Sequence, residues 1–349
     1  MKKLNQHLLL AAATMLMAGT AYAQAPTNTY GGAPIRQLNT PTNSNRTPGD
    51  VNTAGPNGNN TKGNYSTDYS QYSQDSYVSQ TGNGNYATVD QANTIGAGQG
   101  NTAILNQSGD MNKASQSQSA VGTNGRDYAY PGGYNRNFMR ATQNGSNSQT
   151  QQSQSNGLGN VATVLQGAGT TGNRAIQTQG VDAAGTSNAN QAEINQTQYN
   201  GRSGGGSGNY AEQVQTGLIQ QARIDQESSN SYAKQTQRGG STYFSEANSA
   251  IIHQGDPGTR NTAEQSQDGN SNNARIQQSV GSTASNNYAM QTQTGNSNQA
   301  DITQQSDGNY AEQMQMGTSN YSSMTQSNVR SAAYSVQNGT SNTAIVTQH

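Results

Sequence analysis

NYAMQTQTGNSNQADITQ, residues 287–304, holds the unit from which this chain is built. It contains two heptads of the form Asn-x-Ala-x-x-x-Gln, at 287–293 and 298–304, joined by four residues that include Gly295. The heptad continues as NYAEQMQ at 309–315 and NTAIVTQ at 342–348, with relaxed copies NYSSMTQ at 320–326 and SAAYSVQ at 331–337. These starts keep a step of 11, seven residues of strand and four of turn. Toward the N-terminus the heptad returns with wider gaps, as NYAEQVQ at 209–215, NVATVLQ at 160–166, NTAILNQ at 101–107 and NYATVDQ at 85–91. Gly82, Gly295, Gly317 and Gly339 occupy one fixed turn position, Gln-x-Gly-x-x-Asn. Glycine supplies backbone angles there that other residues reach only with strain.

A second period lies over the first. From residue 148 onward the fifth heptad position reads Gln152, Val164, Gln177, Ile194, Gln213, Ile224, Gln235, Ile252, Gln265, Ile276, Gln291, Ile302, Gln313, Met324, Ser335, Val346. Apolar and mostly amide residues alternate, so the true unit is two strands and two turns, about 22 residues where no insertion intervenes. Side chains on a strand alternate faces. Positions 1, 3, 5 and 7 therefore share one face, and positions 2, 4 and 6, rich in Tyr and charged residues, face solvent. The pattern predicts an all-β, two-sheet β-solenoid of strand-turn-strand coils, amyloid-type in its in-register stacking. About 21 strands between 74 and 348 make about ten coils, roughly 50 Å tall at ~4.8 Å per strand.

An unpaired buried amide costs about 1–3 kcal/mol. In a register of identical residues each amide can donate to one neighbour and accept from the other. The expected stacking residues are Asn85, Gln91, Asn209, Gln213, Gln215, Asn287, Gln291, Gln293, Asn298, Gln304, Asn309, Gln313, Gln315, Asn342 and Gln348, with Ile302 and Val346 on the apolar wall. Outward charges fit the same stack: Glu212, Lys234 and Glu264 along one wall, Glu193 beside Arg223 and Arg275 beside Asp301 on the other. Tyr recurs at position 2, as Tyr86, Tyr210, Tyr232, Tyr288, Tyr310 and Tyr321. Strand propensity and outward stacking account for it, with an adhesive or dye-binding aromatic surface as the sharper alternative.

Composition narrows the function. Only 29% of residues are hydrophobic and 10% charged, the formal net charge is -1, and cysteine is absent. Near-neutrality argues against nucleic acid or anionic membrane as partner. Lys2 and Lys3, an apolar run from Leu8 to about Gly19, and Ala21-Tyr22-Ala23 predict a signal peptide over 1–23, cleaved after Ala23. No other apolar run suggests a membrane span. Residues 24–63 hold most of the prolines and no heptad, and read as a disordered leader and a possible export-targeting segment. The solenoid is expected over 64–349, with loop insertions near 119–136, 197–208 and 238–247. His253 and His349 are too separated for a zinc site, no phosphate loop appears, and the calcium nonapeptide is missing. The reading is of a non-enzyme without cofactors.

SAAYSVQNGTSNTAIVTQ, residues 331–348, resembles the curlin repeat, Ser-x5-Gln-x-Gly-x-x-Asn-x-Ala-x3-Gln. SYAKQTQ at 231–237 shares its opening, although Asn replaces the leading Ser in most units. The resemblance covers roughly 74–348 and implies a subunit of curli, the bacterial extracellular amyloid fibre of adhesion and biofilm matrix. It implies three partners: further copies of the chain, a curlin-like nucleator or co-subunit, and an outer-membrane curli-type export pore. The unit number, about twice that of a typical curlin, and the long insertions depart from the family. The rival is a secreted monomeric β-solenoid acting as an adhesin or ligand-binding protein. The heptad runs to Gln348, so the last coil is expected to lack a cap, which favours end-to-end growth.

Overall fold

The computed structural model describes residues 74–93, 100–120, 136–155, 159–180, 187–188, 190–197, 206–239, 247–255, 257–279 and 284–349. The expected signal peptide, its cleavage point and the leader lie outside the described residues, as do 121–135, 198–205 and 240–246 within the expected insertions. Two of the insertions are shorter than their expected bounds. Ser119 and Ala120 still belong to the strand Lys113–Ala120, and Arg136 opens the next strand. Arg238 and Gly239 likewise pair within the strand Tyr232–Gly239.

The chain winds as a β-solenoid. Successive long strands alternate between two parallel sheets. Among the described residues the first sheet has eleven strands, from Gln74–Thr81 to Thr343–Gln348. The second has ten on its main path, from Tyr86–Asn93 to Ala332–Thr340. A two-residue strand, Ser187–Asn188, adds to the second sheet beside Gly217 and Leu218. Every pairing is parallel, and like heptad positions meet: Ala289 pairs Ala311, Gln291 pairs Gln313, Gly295 pairs Gly317. Where no insertion intervenes, equivalent residues are 22 apart, as Gln304 and Gln326 are. Insertions stretch that separation to 36 between Gln107 and Gln143, so the coils average longer than the basic unit.

Burial follows the heptad. In the strand Tyr310–Thr318, Ala311, Gln313 and Gln315 are buried and Tyr310, Glu312 and Met314 are half-buried. Ile194, Ile224, Ile252, Ile276 and Ile302 form one apolar wall in the first sheet and pack against Ala211, Ala233, Ala263 and Ala289 of the second. Each fully buried Ile stabilises by about 1.5–3 kcal/mol. The small Ala opposite keeps the sheets close enough for that contact. The second sheet places Gln177, Gln213, Gln235, Gln265, Gln291 and Gln313 at the equivalent position, all 3% exposed or less.

The corners explain the turn glycines. Gly82, Gly295, Gly317 and Gly339 take φ of 106, 108, 111 and 114°, a region nearly closed to L side chains. They also pack backbone on backbone: a Cβ on Gly295 would lie 2.1 Å from the carbonyl oxygen of Gly317. A second left-handed residue, just before the heptad Asn, was not anticipated. Glycine fills it at Gly84 and Gly308, but Ser297, Ser319 and Ser341 hold φ of 56–57° there. Left-handed backbone costs an L residue about 1–2 kcal/mol. Ser319→Gly is therefore expected to stabilise the fold by about 0.5–1 kcal/mol after the entropy of the added glycine is subtracted. Chemical denaturation checks this; an unchanged or lowered midpoint refutes it.

Candidate self-assembly site

Two glutamine ladders run the length of the stack and a third runs most of it. Every strand of the first sheet supplies one Gln at position 7, from Gln80 to Gln348. Every main-path strand of the second supplies one too, from Gln91 to Gln337. The third ladder is the position-5 column of the second sheet, from Gln116 to Gln313. Side-chain amide bonds link the rungs at 2.6–3.0 Å.

The ladders have a direction. In each of these bonds Nε2 donates to Oε1 of the coil that follows in the chain: Gln213 to Gln235, Gln291 to Gln313, Gln293 to Gln315, Gln304 to Gln326. The second Nε2 hydrogen crosses to the facing sheet. Gln213 donates to the Glu193 carbonyl, Gln215 to Gln191, Gln291 to Arg275, Gln304 to Tyr288, and Gln348 to Ala332. One amide thus joins two coils and two sheets. Aligned amide dipoles in a dry interior strengthen one another. Left unpaired, each would cost about 1–3 kcal/mol.

The asparagines behave differently from the expected amide-to-amide ladder. Position 1 lies at the coil corner, and Asn is one methylene shorter than Gln, so its side chain reaches turn backbone. Asn85 accepts from the Asn112 backbone N–H at 2.9 Å and donates to the Gly109 carbonyl at 2.7 Å. Asn209 accepts from Ser231 N–H and donates to the Ser228 carbonyl. Asn287 and Asn309 accept from the N–H groups of Asn309 and Ser331. Amide-to-amide bonds do join Asn272, Asn298, Asn320 and Asn342, at 3.0–3.2 Å. Val346 is half-buried and packs against the apolar core with Ile302.

Outward charges fall in the expected register but do not all pair as expected. Glu212, Lys234 and Glu264 are neighbours, with Lys234 3.5 Å from Glu212. Glu193 sits beside Arg223, yet the guanidinium turns to Asp225 of its own strand at 2.8 Å, while Glu193 accepts from Asn195. That hydrogen bond holds the Arg223 pKa above its ordinary value. An i, i+2 partner on the same face offers the shorter reach. Arg275 neighbours Asp301, whose carboxyl is raised by burial against the opposing pull of that arginine. Such exposed pairs contribute about 0–1 kcal/mol.

His253 lies 3.7 Å from Glu227 on the outer face. Among the described residues no three His, Cys, Asp or Glu side chains gather as a metal site, and no helix is long and apolar enough to cross a membrane. No protein-family model matches the sequence, and no curated protein sequence matches it. The periodic faces of the coil are thus the feature from which function is read. Residue type and spacing located the Gln ladders; their direction and their bonds to the facing sheet required the two walls to be placed against each other.

Proposed function

We propose that this chain is a structural, non-enzymatic subunit of an extracellular, curli-like amyloid fibre, assembled by end-to-end stacking of its coils and supporting adhesion and biofilm matrix. The observation that carries this reading is the self-complementarity of the coil. Each coil bonds to the next through the same Gln ladders, Gly-on-Gly corners and parallel strand edges. A coil of another copy can offer the same set, and such a head-to-tail contact need not close on itself. The exported character, the nucleator and the outer-membrane pore enter the proposal through the signal-peptide pattern and the curlin resemblance.

Gly339 provides a test. A Cβ there meets nothing nearer than Asn342 Nδ2 at 3.5 Å, whereas on Gly317 it would lie 2.0 Å from the Gly339 carbonyl oxygen. Gly339→Ala is expected to cost the single chain only the backbone strain at φ 114°, about 1–3 kcal/mol, to leave it folded and to block docking of a further coil onto that turn. Purified chain from residue 24 onward is followed by thioflavin fluorescence and fibre diffraction, with circular dichroism as the fold control. Parent chain that stays monomeric for days, with no ~4.7–4.8 Å reflection, sinks the fibre reading. Elongation of Gly339→Ala at the parent rate sinks the stacking geometry.

A further inference from the structure

The two outer faces of the solenoid carry charge sequences that fit each other. Position 4 lies at the middle of each heptad, and its side chains form one column down each face. In the first sheet the column reads Glu193, Arg223, Ile251, Arg275, Asp301 in successive strands. In the second it reads Glu212, Lys234, Glu264, Met290, Glu312, Tyr334. Both columns repeat at the strand spacing of roughly 4.8 Å, so a match made at one rung is kept at the next. The columns reach solvent: the Arg223 side chain is 53% exposed, Ile251 36% and Tyr334 61%.

Two parallel solenoids laid side by side bring the first sheet of one against the second sheet of the other. The two strands of a coil run in opposite directions, so position 4 then faces position 4, and position 2 faces position 6. Axial register decides what meets. With every coil opposite its own counterpart, Glu193 falls on Glu212, Arg223 on Lys234 and Asp301 on Glu312, three like-charge contacts. Slid by one coil, the same faces set Glu193 on Lys234, Arg223 on Glu264, Ile251 on Met290 and Arg275 on Glu312. Asp301 then meets the uncharged Tyr334. One coil in the opposite sense sets Ile251 on Lys234, and two coils set Glu193 on Glu264. Charge complementarity of this kind fixes register and excludes the alternatives.

The flanking columns favour the same slide. Val161 meets Val214, and Leu165, 37% exposed, meets Tyr210. An antiparallel neighbour can also match position 4, with Arg223 on Glu312 and Arg275 on Glu264, but it lays the Asp225 carboxylate against Met314. A groove between positions 2 and 4 of the first sheet crosses the strands from Thr163 to Ile251. It receives the short side chains Val214, Thr236, Ser266 and Thr292 of position 6 in the second sheet. Six rungs of seven residues cover roughly 650 Å² on each copy, about 1,300 Å² in all, which lies within the range of specific interfaces.

We propose that these faces form a lateral self-association surface. A second copy of this chain, parallel and slid by one coil, docks its second sheet on the first sheet of its neighbour. Each copy keeps one face of the other kind unused, so the contact repeats and gathers solenoids into bundles.

Small-angle X-ray scattering of the purified chain measures the cross-section in low salt and in about 1 M NaCl, where charges are screened beyond ~3 Å. The cross-section should hold two or more solenoids in low salt and one in high salt. Arg223→Glu should weaken the lateral contact about tenfold and return a single solenoid at every salt concentration. Adding Glu264→Lys to Arg223→Glu reverses the pair and should restore the wider cross-section; adding Glu312→Lys in its place should not. Circular dichroism monitors the fold, and Arg275→Glu with Glu312→Lys carries the same test if the first pair does not fold. A cross-section indifferent to salt, an Arg223→Glu chain that bundles as the parent does, or rescue by Glu312→Lys in place of Glu264→Lys overturns the proposal. Width is read separately from length, so the result stands whether or not coils stack end to end.

Discussion

Gly295→Ala is expected to destabilise the solenoid by about 4 kcal/mol, and larger side chains by more. Two terms add. The backbone at φ 108° lies where only glycine is comfortable, a strain of about 1–3 kcal/mol. The new Cβ would stand 2.1 Å from the Gly317 carbonyl oxygen and 3.0 Å from its carbon. Main-chain atoms cannot rotate away, so relief requires the coils to separate, against ladder bonds such as Gln293 to Gln315 at 2.9 Å. Overpacking of this kind adds about 1–3 kcal/mol. The protein carries its own control: Gly172 has φ 70° with no atom within 4 Å of a Cβ. Gly172→Ala should cost only about 1–2 kcal/mol. Hydrogen exchange should show early opening at 294–298 and in the paired turn 316–320 for Gly295→Ala alone. Equal losses in the two variants would mean that backbone strain, and not coil-on-coil packing, governs the corners.

Gln291→Leu is expected to cost about 3–5 kcal/mol and to slow assembly. Gln291 accepts from Gln265 at 2.9 Å, donates to Gln313 at 3.0 Å and donates to the Arg275 carbonyl at 2.8 Å. Leucine removes all three bonds while its neighbours remain buried. Gln313 Oε1 loses its donor, and Gln265 Nε2 keeps only its bond to the Ile251 carbonyl, although Gln265 Oε1 still accepts from Gln235. At about 1–3 kcal/mol for each buried group left without a partner, the loss far exceeds what the added apolar surface returns. Adding Gln313→Leu should cost less than the sum of the single changes by about 1–2 kcal/mol, because the shared bond is removed once. Additive losses in a double-mutant cycle, or unchanged assembly kinetics, would show that the inward amides do not govern docking.

Much of this structure was legible before any coordinate. The step of 11 residues, the alternation of Ile and Gln at position 5, and the repeated Ala at position 3 led to two facing sheets with unlike walls. Ile302 and Gln313 lie on the walls that alternation assigns them. The inward glutamines followed from the period-2 rule of a strand, which is local and admits no third face. The asparagines were read less well. Heptad position alone does not reveal that Asn85 and Asn209 stand at corners, where a short side chain finds turn carbonyls before it finds another amide.

Sequence alone determined the repeat, the strand faces and the partners brought into register, because each depends on residue type and a fixed spacing along one chain. Tertiary structure decided what depends on distance between chain segments far apart in sequence. It set the single direction of the Gln ladders and the crossing of each amide to the facing sheet. It also turned Arg223 from Glu193 toward Asp225 and buried Thr262, an outward residue, between two tyrosine stacks. Hydrogen bonds act over about 3 Å and depend on angle, and a linear pattern specifies neighbours without specifying those angles.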